Sequence, residues 1–381
     1  MRAGRGRRLA TVLLVAAAAC VGCKTGTPRG PGEPIPDSAF AALSARISEP
    51  GGYFDTDNLI SNETGYLKVL DALERIGVHG GAYVGVGPDQ NFSYIAAIEP
   101  KIAFIIDIRR DNLLQQLLFK ALFERAPTRV QFLAGLLGRP APADTVGWRA
   151  RGINDIVAYL DTTPADSATV RAQRREIEQE VRSYGIPLDT QDVETIHRFH
   201  GEFVREGMGL RFSSAGRPPR PYYPTYRQLV TETDIDGRQA SYLSTSARYA
   251  WVRSLELANR VIPVVGDLAG DHAVKELGAV LQEMGLQLTA FYASNVEFYL
   301  WREGTFPKWA DNLEALPTTA KAVIIRSYFP NFGGRHPSAI PGYWATQTLQ
   351  PVRTLEAGGF SSYFDLVTRD AIDLRASRGG R

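Results

Sequence analysis

Gly81–Ile98 reads GAYVGVGPDQNFSYIAAI. The stretch predicts an apolar strand, Ala82–Val86, a turn carrying Gly85 and Gly87, and a helix, Asn91–Ile98. A strand that enters a helix through Gly-x-Gly lets a ligand come close to the backbone. A dinucleotide would want a third glycine at position 90, where this chain has Gln90. A phosphate loop of the Walker type is excluded, because no Gly-Lys-Ser/Thr follows.

Outward from the turn, KIAFIIDI (Lys101–Ile108) is almost continuously apolar. Such a run suits a strand buried on both faces of a parallel sheet. Asp107 ends it, about 20 residues past the turn, where an acid bonds a ribose hydroxyl in nucleotide-binding sheets. RVIPVVGDLAG (Arg260–Gly270) is a further apolar strand, and Asp267 stands at its end. A ligand with an adenosine part would reach the glycine turn, Asp107 and Asp267 together, in the crevice outside the strand ends. S-adenosylmethionine has no phosphate, so it relaxes the demand for the third glycine.

The rest of the chain repeats the strand–helix rhythm. Leu67, Leu70, Leu73 and Ile76 mark one helix face. A long helix is expected from Leu113 to about Leu137, with a break near Pro127. HAVKELGAVLQEMG (His272–Gly285) reads as a helix, and LQLTAFYASN (Leu286–Asn295) and AKAVIIRSYF (Ala320–Phe329) as strands. This alternation predicts an α/β fold with a Rossmann-like, doubly wound, mostly parallel sheet. Residues 138–226 break the rhythm with two polar helical patterns, Ser167–Tyr184 and Gln191–Glu206, and a proline-rich run. They read as a helical insertion, separable from the sheet as a lid or a partner surface.

The chain is 44% hydrophobic and 22% charged, with 43 basic against 41 acidic residues. No basic block stands out beyond the N-terminus, so the charge pattern gives no footprint of a nucleic-acid binder. Residues 1–23 carry the parts of an export signal: the basic MRAGRGRR, the apolar LATVLLVAAAA and then CVGC. The last segment resembles a bacterial lipobox, with Cys20 where leucine is usual. Cys23 is then the lipidated residue of an exported protein anchored to a membrane. Lys24 is not the aspartate associated with inner-membrane retention, which favours the outer membrane. Residues 24–36 read as a flexible tether, and residues 37–381 as the folded body.

Three other features are candidate sites. HRFH places His197 and His200 one helical turn apart, but no third metal ligand is evident, and no metal is expected. Asp55, Asp57, Asn58, Asn62 and Glu63 crowd the loop before the first strand. They suit turns and helix caps, and equally a cap over a ligand's charged end. PYYPTY (Pro221–Tyr226) could stack on a flat substrate, but reads first as an ordered loop packing on the domain. No Gly-x-Ser-x-Gly elbow is present, so nucleophilic hydrolysis has no support.

EPGGYFDTDNLISNE (Glu49–Glu63), YVGVGPDQNFSYIAAIEPKIAFIIDIRRDNL (Tyr83–Leu113), VVGDLAG (Val264–Gly270) and FYASNVEFYL (Phe291–Leu300) resemble an uncharacterised bacterial family with a class I S-adenosylmethionine-dependent methyltransferase-like domain. The resemblance spans about residues 48–329 apart from the insertion. It implies a seven-stranded sheet with one antiparallel strand. It places Gly85, Gly87 and Asp89 along the methionine half of the cofactor, Asp107 on the ribose and Asp267 on the adenine amino group. Tyr292 and Asn295, at the end of the fourth strand, fall where methyl acceptors sit. The chain departs from many methyltransferases at Asp89, where a third glycine is common, and at FYASN, which replaces Asn/Asp-Pro-Pro-Tyr. Two functions are compatible with this: methyl transfer to an acceptor, or a non-catalytic surface or periplasmic binding protein that keeps the fold.

Overall fold

The computed structural model describes residues 32–214 and 220–376, so Cys23 and the export signal lie outside the described residues. The strands are β1 (Ala82–Val86), β2 (Ile102–Asp107), β3 (Val261–Val265), β4 (Leu288–Ser294), β5 (Thr318–Tyr328) and β6 (Thr346–Pro351). The helices are α1 (Asp37–Ile47), α2 (Leu70–Ile76), α3 (Gln90–Ile98), α4 (Arg110–Arg125), α5 (Arg129–Leu136), α6 (Ile153–Thr162), α7 (Ser167–Ser183) and α8 (Thr190–Glu206). They continue with α9 (Tyr226–Val230), α10 (Ser246–Leu257), α11 (Ala273–Glu283), α12 (Val296–Glu303), α13 (Phe306–Glu314), α14 (Val352–Glu356) and α15 (Tyr363–Thr368).

The sheet order is β3-β2-β1-β4-β5-β6. The first five strands are parallel and β6 runs antiparallel to β5. The expected α/β sheet is therefore present, with six strands among the described residues instead of seven. All five residues of β1 are buried, as the apolar run demands of a central parallel strand. The antiparallel edge strand β6 escaped the sequence reading because its inward positions are polar. Thr346, Gln347, Thr348 and Gln350 are all buried. Two of them are paired with β5 through their side chains: Gln347 shares hydrogen bonds with Ser327, and the Gln350 side-chain Oε1 accepts from Arg326 Nη1 at 2.7 Å. Arg326 is itself fully buried, paired with Glu297 of α12, whose carboxylate also accepts from Trp309 Nε1. Buried charges of this kind persist only when paired and hydrogen-bonded.

The expected break near Pro127 divides the long helix into α4 and α5, and Thr128 caps α5 by accepting from the Gln131 amide. Every residue of α4 from Asn112 to Phe123 is buried. A helix buried on all sides, with Leu and Phe on most of its turns and Asn112, Gln115, Gln116 and Lys120 among them, needs neighbours on all sides. Strands β2 and β3 lie against one side of it, and α7, α8 and α10 pack on the others. The insertion supplies that outer layer. Ile177, Val181, Ile196, Phe199 and Phe203 belong to the same continuous core as the sheet. The expected separable lid is instead a packed layer, because α4 would otherwise expose a strip of Leu and Phe. Helix α8 is fixed at its start by a capping box between Asp189 and Asp192, and Arg110 of α4 clamps Asp192 at 2.7–2.9 Å. His200 serves this packing too. Its Nε2 lies 2.9 Å from the Gly135 carbonyl, and burial pushes its pKa down to about 4.

A candidate binding cavity at the strand ends

The chain leaves β1 for β2 and β3 on one side of the sheet, then crosses back to β4 on the other. The crevice between these two directions, at the carboxyl ends of the strands, is where open α/β sheets hold ligands. A cavity of about 270 Å³ lies there. Its floor comes from Val86 and Gly87 after β1, Asp107 and Arg109 after β2, Gly266 and Asp267 after β3, and Ser294 and Asn295 after β4. Residues of the loop before β1, from Tyr53 to Glu63, form one wall, and Phe212, Ser214 and Tyr223, from the end of the insertion, contribute to another. Tyr53 stands at the rim, 81% exposed.

Of the seven cofactor and acceptor positions, four line this cavity: Gly87, Asp107, Asp267 and Asn295. Gly87 has φ +86°, a conformation that side chains disfavour, and a Cβ there would reach Gln90 and Asn58 at 3.3–3.4 Å. The other three sit behind the wall. Gly85 is a packing glycine: a Cβ there would lie 2.0 Å from Asn91 Oδ1 and 2.6 Å from the Tyr83 hydroxyl. Asp89 points into the protein, where the hydroxyls of Tyr226 and Tyr242 donate to its Oδ2 at 3.0 and 3.1 Å. Burial pushes its pKa up to about 6, and the two tyrosines pull against that rise. Tyr292 is fully buried and donates its hydroxyl to Glu63. Asp89 and Tyr292 are therefore corrected from ligand-facing residues to supports of the cavity wall.

The site holds two groups that the sequence reading did not single out. Arg109 is the first. Its backbone N–H and Nε donate to Asp107 Oδ1 at 2.9 and 3.0 Å, and Nη2 donates to Oδ2 at 2.8 Å. Its Nη1 donates to the carbonyls of Thr56 and Asp57, both at 2.7 Å. One guanidinium thus fixes the carboxylate and ties the loop before β1 to the floor. A carboxylate offers about four lone-pair sites, so Asp107 keeps room for one further donor. Glu49 ties down the same loop at β3, where its Oε1 accepts the Asp267 amide at 2.7 Å. Only the spacing Asp-x-Arg hinted at the first of these pairs.

Ser294 is the second. It has φ +52°, rare for a residue with a side chain, beside a register shift in the β4–β5 pairing. That twist turns its hydroxyl onto Glu63. Glu63, grouped earlier with the crowded loop, is 1% exposed and yet lines the cavity. Burial pushes its carboxyl above the usual range, while hydrogen bonds from Ser294, Ser327, Tyr292 and Gln347 pull it back. The described lining carries five carboxylates, Asp55, Glu63, Asp107, Asp267 and Glu303, against one guanidinium, Arg109. Such a lining favours hydroxyl donors and cationic groups and repels phosphates. Among the described residues, no group of three or more His, Cys, Asp or Glu is placed to hold a metal ion.

Fold and cavity define an α/β protein with a Rossmann-like sheet and a ligand crevice at its switch point. The chain belongs to a family described as "Domain of unknown function (DUF7790)", whose model matches residues 59–146 and 212–358. The matched stretches carry most of the cavity floor, and residues 147–211 lie between them. No curated protein matches this chain.

Proposed function

We propose that this protein binds S-adenosylmethionine in the cavity and transfers its methyl group to an acceptor, as an exported protein anchored through lipidated Cys23. The observation that carries the reading is the convergence of Gly87, Asp107 and Asp267 on one crevice with an excess of carboxylates. In this reading the adenine lies by Asp267, the ribose by Asp107 and the methionine end by Gly87. The sulfonium then faces the end of β4, near Asn295. A cationic ligand without phosphate suits the acidic lining better than a dinucleotide does. The protein's contribution to the transfer is positioning of the methyl group for in-line attack.

The N-terminus favours a second reading, a binding protein without turnover. S-adenosylmethionine is made in the cytosol, and the sequence of residues 1–23 directs the body out of it. Thermal shift of the full chain with S-adenosylmethionine, S-adenosylhomocysteine and NAD tests what both readings share. Stabilisation by the first two and not by NAD is expected; stabilisation by NAD alone would overturn the assignment. Methyl release to extracts, measured with labelled cofactor, separates the two readings.

A further inference from the structure

Helix α12 turns one face to the cavity. Asn295 just before it, then Tyr299 and Glu303, recur at the four-residue spacing of a single helix face, and all three line the cavity beyond the end of β4. Phe54, from the loop before β1, meets Tyr299 edge to face, with ring centroids 5.4 Å apart. Tyr53 lines the same cavity. Among the described residues, Tyr53 and Phe54 are the aromatic side chains that stand exposed, and both stand at this mouth. Glu303 is the last residue of α12. A carboxylate there faces the negative end of its own helix, and among the described residues no hydrogen bond or ion pair relieves it. Arg109, the basic side chain of the described lining, is held by Asp107.

We propose that this mouth is the acceptor subsite and that it recognises an organic ammonium group, the cationic form of an alkylamine. The inference rests on the adenosyl reading of the cavity and names the class of its acceptor. Aromatic rings carry negative charge on their faces, so they attract cations, and the unpaired Glu303 attracts the same charge. A divalent metal ion needs several converging oxygen ligands, which rings do not supply. A neutral apolar ligand would pack on the rings but leave Glu303 unmatched. An organic ammonium satisfies both, because its charge sits within a shell of CH groups that pack on the rings. The adenosyl reading puts the sulfonium near Asn295, one turn of α12 before Tyr299. The ammonium therefore lies on the side of the cavity from which the methyl group is approached.

The experiment saturates the full chain with S-adenosylhomocysteine, which has no methyl group to transfer. Two probes are then titrated by calorimetry: choline, and neohexyl alcohol, in which carbon replaces the quaternary nitrogen. Wild type should prefer choline by about fivefold or more, the scale of a cation–π contact. The double variant Tyr53→Leu, Phe54→Leu keeps apolar side chains and removes both exposed rings. Glu303→Gln keeps the size and removes the charge. Each should lower the preference by about twofold or more, with melting unchanged to show that the variant is folded. The ratio of the two probes is read within each protein, so a general loss of affinity does not imitate the effect. Equal binding of the probes to wild type, or binding of neither, overturns the inference and leaves the adenosyl reading intact. A preference that survives unchanged in either variant also overturns it. If S-adenosylhomocysteine does not bind to wild type, the adenosyl reading itself falls.

Discussion

Asp89 shows how a side chain's direction is decided far from its own segment. In the sequence it follows a glycine turn and looks ligand-facing. Tyr226 and Tyr242, 137 and 153 residues away, draw it inward instead. No local pattern announces such partners. The burial of Asp89 has a pH signature. Its folded pKa, about 6, lies above the ordinary 3.8, so the folded state binds the proton more tightly than the unfolded state does. The stabilisation is complete below about pH 3.8 and is lost as pH rises through 6, a swing of about 3 kcal/mol. Asp89→Asn keeps an acceptor for both tyrosines and stays neutral. Its stability relative to wild type should therefore rise between pH 4 and 7, as read from urea unfolding at each pH. A difference that does not change with pH would contradict this. Gly87 and Gly85 were legible as glycines that matter, but for different reasons. Gly87→Val forces a β-branched residue to φ +86° and puts methyl groups into the cavity, so it should abolish ligand binding and cost about 1–2 kcal/mol or more in stability. A variant that binds as wild type would remove Gly87 from the site.

Elements were legible where burial follows the ordinary rule and illegible where it does not. Strands β1 to β5 announced themselves as apolar runs. Strand β6 did not, because Gln347, Gln350 and their neighbours are buried through hydrogen bonds to β5 and α15, not through hydrophobicity. The insertion was legible as helices but misjudged as detachable. Helices α7 and α8 show mostly polar residues, and their few apolar positions are the ones that cover α4. Phe203 packs 6.2 Å from Phe119 of α4 and 5.4 Å from Tyr226, centroid to centroid. Phe203→Ala should lower the stability of the whole domain by about 3–5 kcal/mol, the range for a buried Phe, in a single melting transition. Separate melting of the insertion, with the main transition unmoved, would restore the detachable lid.

At the scale of the molecule, the sheet order brings the ends of β1, β2, β3 and β4 to one crevice, although they lie up to about 200 residues apart in sequence. The sequence reading found the floor of this crevice because acids at strand ends follow a known spacing. It missed the Arg109 tie, which exists only once the loop before β1 folds across the strand ends. That tie makes Asp107 the decisive residue: it is held rigid, and it keeps one lone-pair site, where the proposed ligand would place a ribose hydroxyl. Without its carboxylate, Arg109 still holds the Thr56 and Asp57 carbonyls, so the loop should stay in place and the loss should fall on the ligand. The most direct measurement is calorimetric titration of S-adenosylhomocysteine into wild type and Asp107→Ala. The account predicts binding to the wild type and a loss of about 1.5–3 kcal/mol in the variant. Absence of binding to the wild type at millimolar ligand, or equal affinity for both proteins, would contradict it.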